Sequence, residues 1–513
     1  MSNILQKQRG VLALAAGLGA VAYFAVATIS PVIAIACCFV PLIMVAVLRC
    51  PMIGFGVLTF LIPLERMQRF TDDSSDFTIS VMRLLALGCF GALVIQRYVQ
   101  KKTIRFDPLM LVYGGYLLFA VFSVFSSSDP AGAKRAIGTV FSNCLFFLLY
   151  YNFIEERRQI YTLLAIWMAA NILAAVYSVY DWHLGSGRTG GIQTEVDPGA
   201  GVQTTENRWS TVWEDRAEWE TLSGVTIRRS MGPTSHAAVY GINLIMTIPF
   251  FFVALNRYRR PAQQLAIWAV LALFGYNILL TNTRAVMLMA GIAGVLCIVV
   301  GLFRVRTPHV IALIIGMLLA VPAMPKDIKD RILDPSNYTV KNSSSLRVRL
   351  EYWNASREIF SEKWLSGMGV GNEVEVPKHM KSVSAEKTTV HNTYLQFLLE
   401  VGVFGWLIFF GFVGLLLHHV VQACRYFRRL GNHPLEVDIL RAIIVAMVSV
   451  LMFGLQVDVF LFPLKGWWLL AMVGLVLYRW AERGTANASP SRVDGANPAK
   501  GLTSHAQLLP ERA

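Results

Sequence analysis

Long apolar runs separated by short polar segments set the pattern of this chain. About fourteen runs are long enough, or nearly long enough, to cross ~30 Å of hydrocarbon as helices that rise ~1.5 Å per residue. Their approximate limits are 10–29, 31–48, 51–64, 79–96, 107–126, 136–154, 160–180, 236–255, 263–281, 285–303, 309–324, 394–417, 440–461 and 465–480. The pattern predicts an all-α polytopic membrane protein with about 12–14 transmembrane helices.

Composition agrees with this pattern. Of the 513 residues, 55% are hydrophobic and 15% are charged, whereas soluble domains carry about 25% charged residues. The net charge of +14 would suit nucleic acid, but the Lys and Arg residues lie in short segments between apolar runs. We therefore expect membrane lipids as partners, and no nucleic acid. The seven cysteines lie in apolar runs or basic connections, so neither disulfides nor a Cys/His metal site is expected.

The basic connections predict the orientation of the chain. With the N-terminus in the cytoplasm, the most basic short connections all face inside, as the positive-inside rule requires. These are 97–107, 155–159, 256–264, 304–309 and 425–434. Both chain termini are then cytoplasmic, and two long polar segments lie on the outer side of the membrane.

The same reading divides the chain into six parts. We expect N-terminal transmembrane helices over 1–180, a first long outer loop over 181–235, central transmembrane helices over 236–324, a second long outer loop over 325–393, C-terminal transmembrane helices over 394–481 and a disordered cytoplasmic tail over 482–513. The second loop contains an amphipathic stretch at 345–364, which predicts a helix against the membrane face.

Several cationic side chains are expected together at the outer boundary. They are Arg228 and Arg229 before a span, Arg284 in a tight turn, Arg347 and Arg349 in the amphipathic stretch, and His391 at the start of a span. Arginine holds phosphate through two parallel N–H bonds, and neutral imidazole accepts a proton near pH 7. The set suits an anionic substrate. The alternative is that the arginines reach lipid phosphates and that the histidine is merely interfacial.

One acid, Glu400, lies about six residues inside an apolar run. A charge near the bilayer centre costs about 2.5–3.5 kcal/mol on insertion scales, so this carboxyl group needs a partner, water or a proton. The sequence leaves two roles open for Glu400: helix packing through hydrogen bonds, or a part in catalysis.

The motifs around these residues resemble the O-antigen ligase and polymerase superfamily of bacterial membrane glycosyltransferases. The stretch "RLEYWNASREIFSEKWLSGMGVGN" (349–372) is followed by "VHNTYLQFLLEVGVFG" (390–405), which supplies His391, Asn392 and Glu400. Upstream, "LLTNTRAVMLMAGIAG" (279–294) and "RSMGPTSHAAVYG" (229–241) are similar to two further elements of that family. Trp364, where the family usually has proline, and "NTR", where Ser-Arg is commoner, depart from its pattern.

The resemblance implies an activity and a set of residue roles. The donor would be a glycan on undecaprenyl pyrophosphate, and the acceptor a sugar hydroxyl of lipid A-core or of another glycan. The protein would lie in the bacterial inner membrane, have a GT-C-like helical fold and a periplasmic active site, and meet polysaccharide-assembly proteins. His391 would be the base and Arg284 the main pyrophosphate clamp. Arg229, Arg349, Arg347, Arg228, Asn392 and Glu400 would bind substrate.

The family implies inverting transfer that needs no cofactor and no metal. Ligase and polymerase remain equally open, because the motifs occur in both. A protein O-oligosaccharyltransferase is a further option within the superfamily. Two alternatives lie outside the superfamily: a lipid-glycan transporter or flippase, and a non-catalytic scaffold. A transporter predicts inverted repeats and broken spans at corresponding positions. No such repeat is visible in the sequence.

Overall fold

The computed structural model describes residues 43–64, 80–184, 217–222, 225–234, 236–304, 344–372, 375–379, 391–461 and 464–488. Its α-helices are α1 Pro51–Phe60, α2 Val81–Val99, α3 Pro108–Ser123, α4 Pro130–Phe153, α5 Arg157–Leu184, α6 Ala237–Arg257, α7 Pro261–Leu280, α8 Arg284–Val299, α9 Ser344–Lys363, α10 Glu375–Lys378, α11 Thr393–Leu430, α12 Pro434–Phe453 and α13 Lys465–Ala488. Two antiparallel strands, β1 Ala217–Leu222 and β2 Val225–Ser230, precede α6.

Local sequence signals explain where many helices begin. Proline stands in the first turn of α1, α3, α4, α7 and α12, where its fixed φ suits a helix and its missing N–H leaves no bond unmade. The Asp107 carboxylate caps α3 by accepting the Leu109 N–H at 3.0 Å. Asp129 caps α4 in the same way, through the Gly132 N–H at 3.0 Å. These caps satisfy backbone donors that the helix itself cannot pair.

The helices pack as one bundle around α6, α12 and α13. Helix α12 contacts α6, α8, α11 and α13, while α11 also contacts α3 and α9. Trp467 and Trp468 at the start of α13 are buried. One end of the bundle contains the end of α3 and the starts of α4 and α11. We call it the site end. The opposite end holds Asp107 and Arg479.

Helix α11 reverses direction at Gly402, which has φ +65° and ψ −173°. The Tyr394 and Phe410 rings stack at 4.8 Å, and the Trp406 Nε1–H donates to the Tyr394 carbonyl at 3.1 Å. In a straight helix the α-carbons of residues 394 and 410 would be about 24 Å apart. The segment 393–401 therefore folds back against the start of 403–430.

The predicted fold class is confirmed: the chain is an α-helical polytopic membrane protein. Seven helices among the described residues are long and apolar enough to cross a membrane. Two features differ from the expectation. A β-hairpin lies within the first polar segment, which was expected to be a loop. The single span expected at 394–417 is broken by the reversal at Gly402. The runs expected at 10–29 and 309–324, and most of the predicted tail, lie outside the described residues.

Candidate active site

His391 is held by its backbone at the start of α11. The Asp458 carboxylate accepts two consecutive backbone N–H groups, that of His391 at 2.7 Å and that of Asn392 at 2.9 Å. His391 has φ +54°, a left-handed conformation that non-glycine residues seldom adopt. Asp458 is 2% exposed, so its bonds to these two N–H groups form with little competition from water. The paired bonds fix where the imidazole ring stands.

The two residues after His391 complete this attachment. The Asn392 Oδ1 caps α11 by accepting the N–H groups of Tyr394 and Leu395, at 3.0 and 3.1 Å. The Thr393 hydroxyl donates to the Val457 carbonyl at 2.7 Å and accepts the Val459 N–H at 2.8 Å. The start of α11 and the turn at 454–459 are thus one rigid unit.

Three cationic or titratable side chains surround His391. Burial is the main cause that lowers the pKa of the His391 imidazole to about 4, and the nearby Arg349 and Arg229 lower it further; a positive charge on His236 would act in the same direction. A positive charge on the ring would be repelled by both guanidinium groups and would lose its hydration. His391 is therefore neutral at neutral pH, the form in which it can accept a proton.

A buried turn connects Arg229 to His236. The Ser230 hydroxyl bonds to that of Ser178 at 2.7 Å, and the Thr234 hydroxyl bonds to the carbonyl of Met231 at 2.8 Å. Gly232 has φ +52°, and a Cβ there would collide with the Tyr240 ring. The turn therefore presses on α6, which begins directly after His236. This packing fixes the turn, and with it the backbone positions of Arg229 and His236.

Arg349 reaches the site from α9. The buried face of this helix contains Tyr352, Ala355 and Ile359, which pack with Met368 and with Leu399 of α11. Because α9 is anchored on the segment 393–401, Arg349 and His391 keep a fixed relation.

Arg284 is the first residue of α8, after a tight turn. A Cβ on Gly241 would collide with Val286, so the starts of α6 and α8 touch. The Arg284 turn therefore lies beside the start of α6, which follows His236 directly. Asn282 in that turn is 1% exposed and has φ +45°.

Glu400 binds the glycine-rich loop 366–372. Its Oε1 accepts the Gly371 N–H at 3.2 Å and the Gln396 Nε2–H at 2.7 Å. Its backbone carbonyl accepts the Gly369 N–H at 3.0 Å. Glycines 367, 369 and 371 have φ of +71°, +96° and +68°. These hydrogen bonds offset the free-energy cost of burying the Glu400 carboxylate, and they hold the loop against the reversal of α11.

The same loop joins the segment 393–401 to the first helices. The Val370 N–H donates to the Ser123 hydroxyl at 3.2 Å, and the Ser128 hydroxyl donates to the Asn372 Oδ1 at 3.0 Å. Gly371 and Gly132 are in such close backbone contact that a Cβ on either would collide with the carbonyl of the other. Three parts of the chain therefore meet at this loop.

The structure brings together part of the predicted site. His391, Arg229 and Arg349 converge, and Arg284 lies at the neighbouring helix start. Asn392 serves as a helix cap. Glu400 contacts the glycine-rich loop and Gln396. Arg228 is opposite Trp219 in the hairpin register, and Arg347 lies in the first turn of α9; the positions of these two side chains lie outside the described part of the chain.

Two residues of the site were missed by sequence reasoning. His236 stands in a quoted motif, but it was read only as part of a span boundary. Asp458 lies 67 residues beyond His391, in an apolar stretch. An isolated acid in "GLQVDVFLFP" (454–463) is the signal that could have pointed to it. Among the described residues, no group of three or more His, Cys, Asp or Glu side chains is arranged to hold a metal ion.

The central part of the chain is similar to a known protein family. Residues 267–410 match the O-antigen ligase family. The resemblance inferred from the motifs is confirmed for this segment, which contains Arg284, Arg349 and His391. His236, Arg229 and Asp458 lie outside the O-antigen ligase segment, although they meet it at the site. No match was found among curated proteins. The family supports a membrane protein of the O-antigen ligase or polymerase type.

Proposed function

We propose that the protein is an integral inner-membrane glycosyltransferase of the O-antigen ligase or polymerase type. It transfers a glycan from undecaprenyl pyrophosphate to a sugar hydroxyl on the periplasmic face, during the synthesis of a surface polysaccharide. The observation that carries this proposal is the convergence of Arg229, Arg349 and a neutral His391 within a chain that matches the O-antigen ligase family.

The arginines suit the donor. The guanidinium groups of Arg349 and Arg229 act on His391 from nearby, and Arg284 begins the adjacent helix. Diphosphate is the ligand that such a set of fixed cations recognises through charge-assisted hydrogen bonds. The same charges stabilise the pyrophosphate as negative charge builds up on the leaving oxygen.

His391 acts as the base in this scheme. It takes the proton of the acceptor hydroxyl, whose oxygen forms a bond to the anomeric carbon of the donor glycan. The bond from that carbon to the pyrophosphate oxygen breaks, and undecaprenyl pyrophosphate leaves. Attack opposite the leaving group inverts the anomeric centre. In this scheme the acceptor is a glycan or lipid A-core, and the reaction needs no cofactor.

The electrostatics link donor binding to the strength of the base. In the free protein, two arginines help to lower the His391 pKa. A bound diphosphate offsets their positive charge and so raises that pKa. His391 becomes a better proton acceptor only when the donor is in place.

Single substitutions test the proposal. We expect His391→Ala and Arg284→Ala each to abolish glycan transfer in proteoliposomes while both proteins insert normally. His183→Ala is the matched control, because His183 bonds to Tyr276 at the end of α5 and should leave transfer unchanged. Near-full transfer by both site variants would refute the proposal. Uptake of lipid-linked glycan into vesicles without transfer would favour a flippase.

The surface glycans of a deletion strain would separate the subclasses. Loss of all lipid A-linked polysaccharide on gels indicates a ligase, and a single capped repeat unit indicates a polymerase. Loss of a secreted polymer with normal lipopolysaccharide indicates an exopolysaccharide polymerase. Loss of glycan from a protein acceptor indicates a protein O-oligosaccharyltransferase.

A further inference from the structure

His236 occupies a position that neither the motifs nor the family match explains. It precedes α6, and its ring is close enough to His391 to act on it electrostatically. It is partly exposed, whereas residues 231–234 and 237–240 are buried. A partly exposed histidine beside His391 is placed where a bound substrate can reach it.

The helix cap determines the tautomer of this ring. The His236 Nδ1 accepts the Ala238 N–H at 3.0 Å. An imidazole nitrogen that accepts a hydrogen bond carries no proton, so the neutral ring has its proton on Nε2. His236 therefore presents an N–H donor at its outer tip.

The surroundings favour an anionic acceptor for that donor. Arg229 lies at the other end of the same buried turn, and Arg349 acts on the same neighbour, His391. The 21-residue helix α6 begins at Ala237, so its positive end adds to the local potential. A neutral N–H group can add a hydrogen bond to a phosphate there without repelling the two arginines.

We propose that His236 is a second substrate-contacting histidine, whose Nε2–H donates to a phosphate oxygen of the diphosphate donor. This inference rests on the proposed function. Its role differs from that of His391, because His236 moves no proton and binds the leaving group. It increases the affinity of the site for diphosphate and stabilises that group as it departs.

Cap-preserving substitutions separate this role from a structural one. Asparagine and serine are better N-cap residues than histidine, so His236→Asn and His236→Ser keep the helix cap and remove the Nε2–H. We expect both variants to retain the melting temperature of the wild type. We expect kcat/KM for the donor to fall about 10–100-fold, the usual effect of losing a hydrogen bond to a charged group. The KM for the acceptor should not change.

Inhibition by inorganic pyrophosphate gives a second readout. Its inhibition constant should rise in His236→Asn and stay constant in His183→Asn. Wild-type transfer kinetics and pyrophosphate affinity in both His236 variants would overturn the inference. If His391→Ala is inactive at the same time, only the role of His236 fails. If His391→Ala is active, the proposed function fails as well.

Chemical modification of the wild type makes the test independent of how the variants fold. Diethyl pyrocarbonate modifies accessible imidazoles, and mass spectrometry of the peptides measures each site. We expect undecaprenyl pyrophosphate in proteoliposomes to protect His236 and to leave His183 equally reactive. Equal modification of His236 with and without this lipid would overturn the inference.

Discussion

The backbone of His391 is in the left-handed region, with φ +54°. Such a conformation costs a non-glycine residue about 1–3 kcal/mol and persists only where its surroundings enforce it. Asp458 enforces it through the two adjacent N–H groups of His391 and Asn392. The position of the imidazole is thus determined by a carboxylate from another part of the chain.

We expect Asp458→Asn to weaken this attachment. An asparagine side chain has one acceptor oxygen, so one of the two N–H groups loses its partner. Transfer should fall about 10–100-fold, because misplacement of a catalytic group by about 1 Å has effects of that size, while the protein still inserts. Asp438→Asn is the control, since Asp438 pairs with Arg441 of the same helix. Unchanged transfer rates in Asp458→Asn would contradict this assignment.

The pKa of His391 predicts an unusual pH profile. Because the pKa is lowered to about 4, protonation begins only well below the usual range of histidine. The acid limb of kcat/KM for the donor, which reports the free enzyme, should lie near pH 4. The acid limb of kcat should lie at higher pH, because bound diphosphate raises the pKa. Initial rates between about pH 3 and about pH 8 would measure both limbs. Coincident limbs near pH 6.5 would contradict the prediction.

The residues of the site were only partly predictable from sequence. His391, Arg229 and Arg349 have the right chemistry and stand at recognisable boundaries. Asp458 binds the backbone N–H groups of His391 and Asn392, and no spacing rule connects partners that are 67 and 66 residues apart. His236 caps α6 and lies near His391 only in the folded chain. Glu400 was ambiguous because a buried acid requires a partner, and here the partners are the Gln396 side chain and a backbone N–H of a loop 29 residues upstream.

At the scale of elements, Gly402 controls the shape of α11. The apolar run of α11 continues through Gly402, so the sequence predicts one straight span. The reversal depends on a backbone conformation and on close contact with Leu365, neither of which hydropathy reports. A β-carbon at Gly402 would collide with the Leu365 carbonyl, and its φ of +65° disfavours any other residue.

We expect Gly402→Ala to destabilise the protein by at least about 1–3 kcal/mol, with loss of transfer. Gly411→Ala in the same helix is the matched control. It has open space at the Cβ position and should be neutral or slightly stabilising, because alanine favours helix. Melting temperatures of the two purified variants would measure the difference. Equal stability would show that the reversal does not need glycine.

The role of Glu400 can also be tested by substitution. Glutamine keeps an acceptor oxygen for the Gly371 N–H, whereas alanine does not. We expect Glu400→Gln to retain most transfer activity and Glu400→Ala to lower the melting temperature, since it leaves buried donors unpaired. Inactive but stable Glu400→Gln would instead indicate that the charge of Glu400 takes part in catalysis.

At the scale of the whole molecule, two polar networks lie at opposite ends of the bundle. At the end away from His391, the Arg479 guanidinium binds the Asp107 carboxylate through two bonds, at 2.6 and 2.9 Å. Nearby, Arg97 donates to the Asn152 carbonyl at 2.9 Å and to Glu155 at 2.9 Å. These bonds tie α2, α3, α4 and α13 together, far from His391.

We expect Asp107→Ala to lower stability without changing the chemistry of the site. Removing one partner of a buried ion pair costs about 3–5 kcal/mol, and the Asp107 side chain is fully buried. The melting temperature should fall, while transfer per folded molecule stays constant. Glu482→Ala is the control, because the Glu482 side chain is half exposed and exposed pairs contribute little. A large loss of specific activity in Asp107→Ala would show that the two ends are coupled.

The order of the helices was predictable, because length and hydropathy determine which segments cross a bilayer. Expected runs such as 107–126 and 263–281 agree with α3 and α7 within a few residues. The sequence prediction placed only a loop where the hairpin leads to Arg229, although its strands alternate over "AEWE" (217–220) and "VTIR" (225–228) and a Ser-Gly pair follows the first strand. The sequence thus indicates which helices form, and the contacts between the helix ends determine which residues make up the site.

The contact between Gly132 and Gly371 limits how this protein can be divided. Gly371 lies within the segment 267–410 that matches the O-antigen ligase family, and Gly132 belongs to α4, outside it. A chimera that transplants only the segment would bring its glycine-rich loop against a foreign α4, where any side chain at position 132 would meet the loop backbone. Exchanging donor or acceptor preference between relatives therefore requires moving the turn at 127–132 together with the segment.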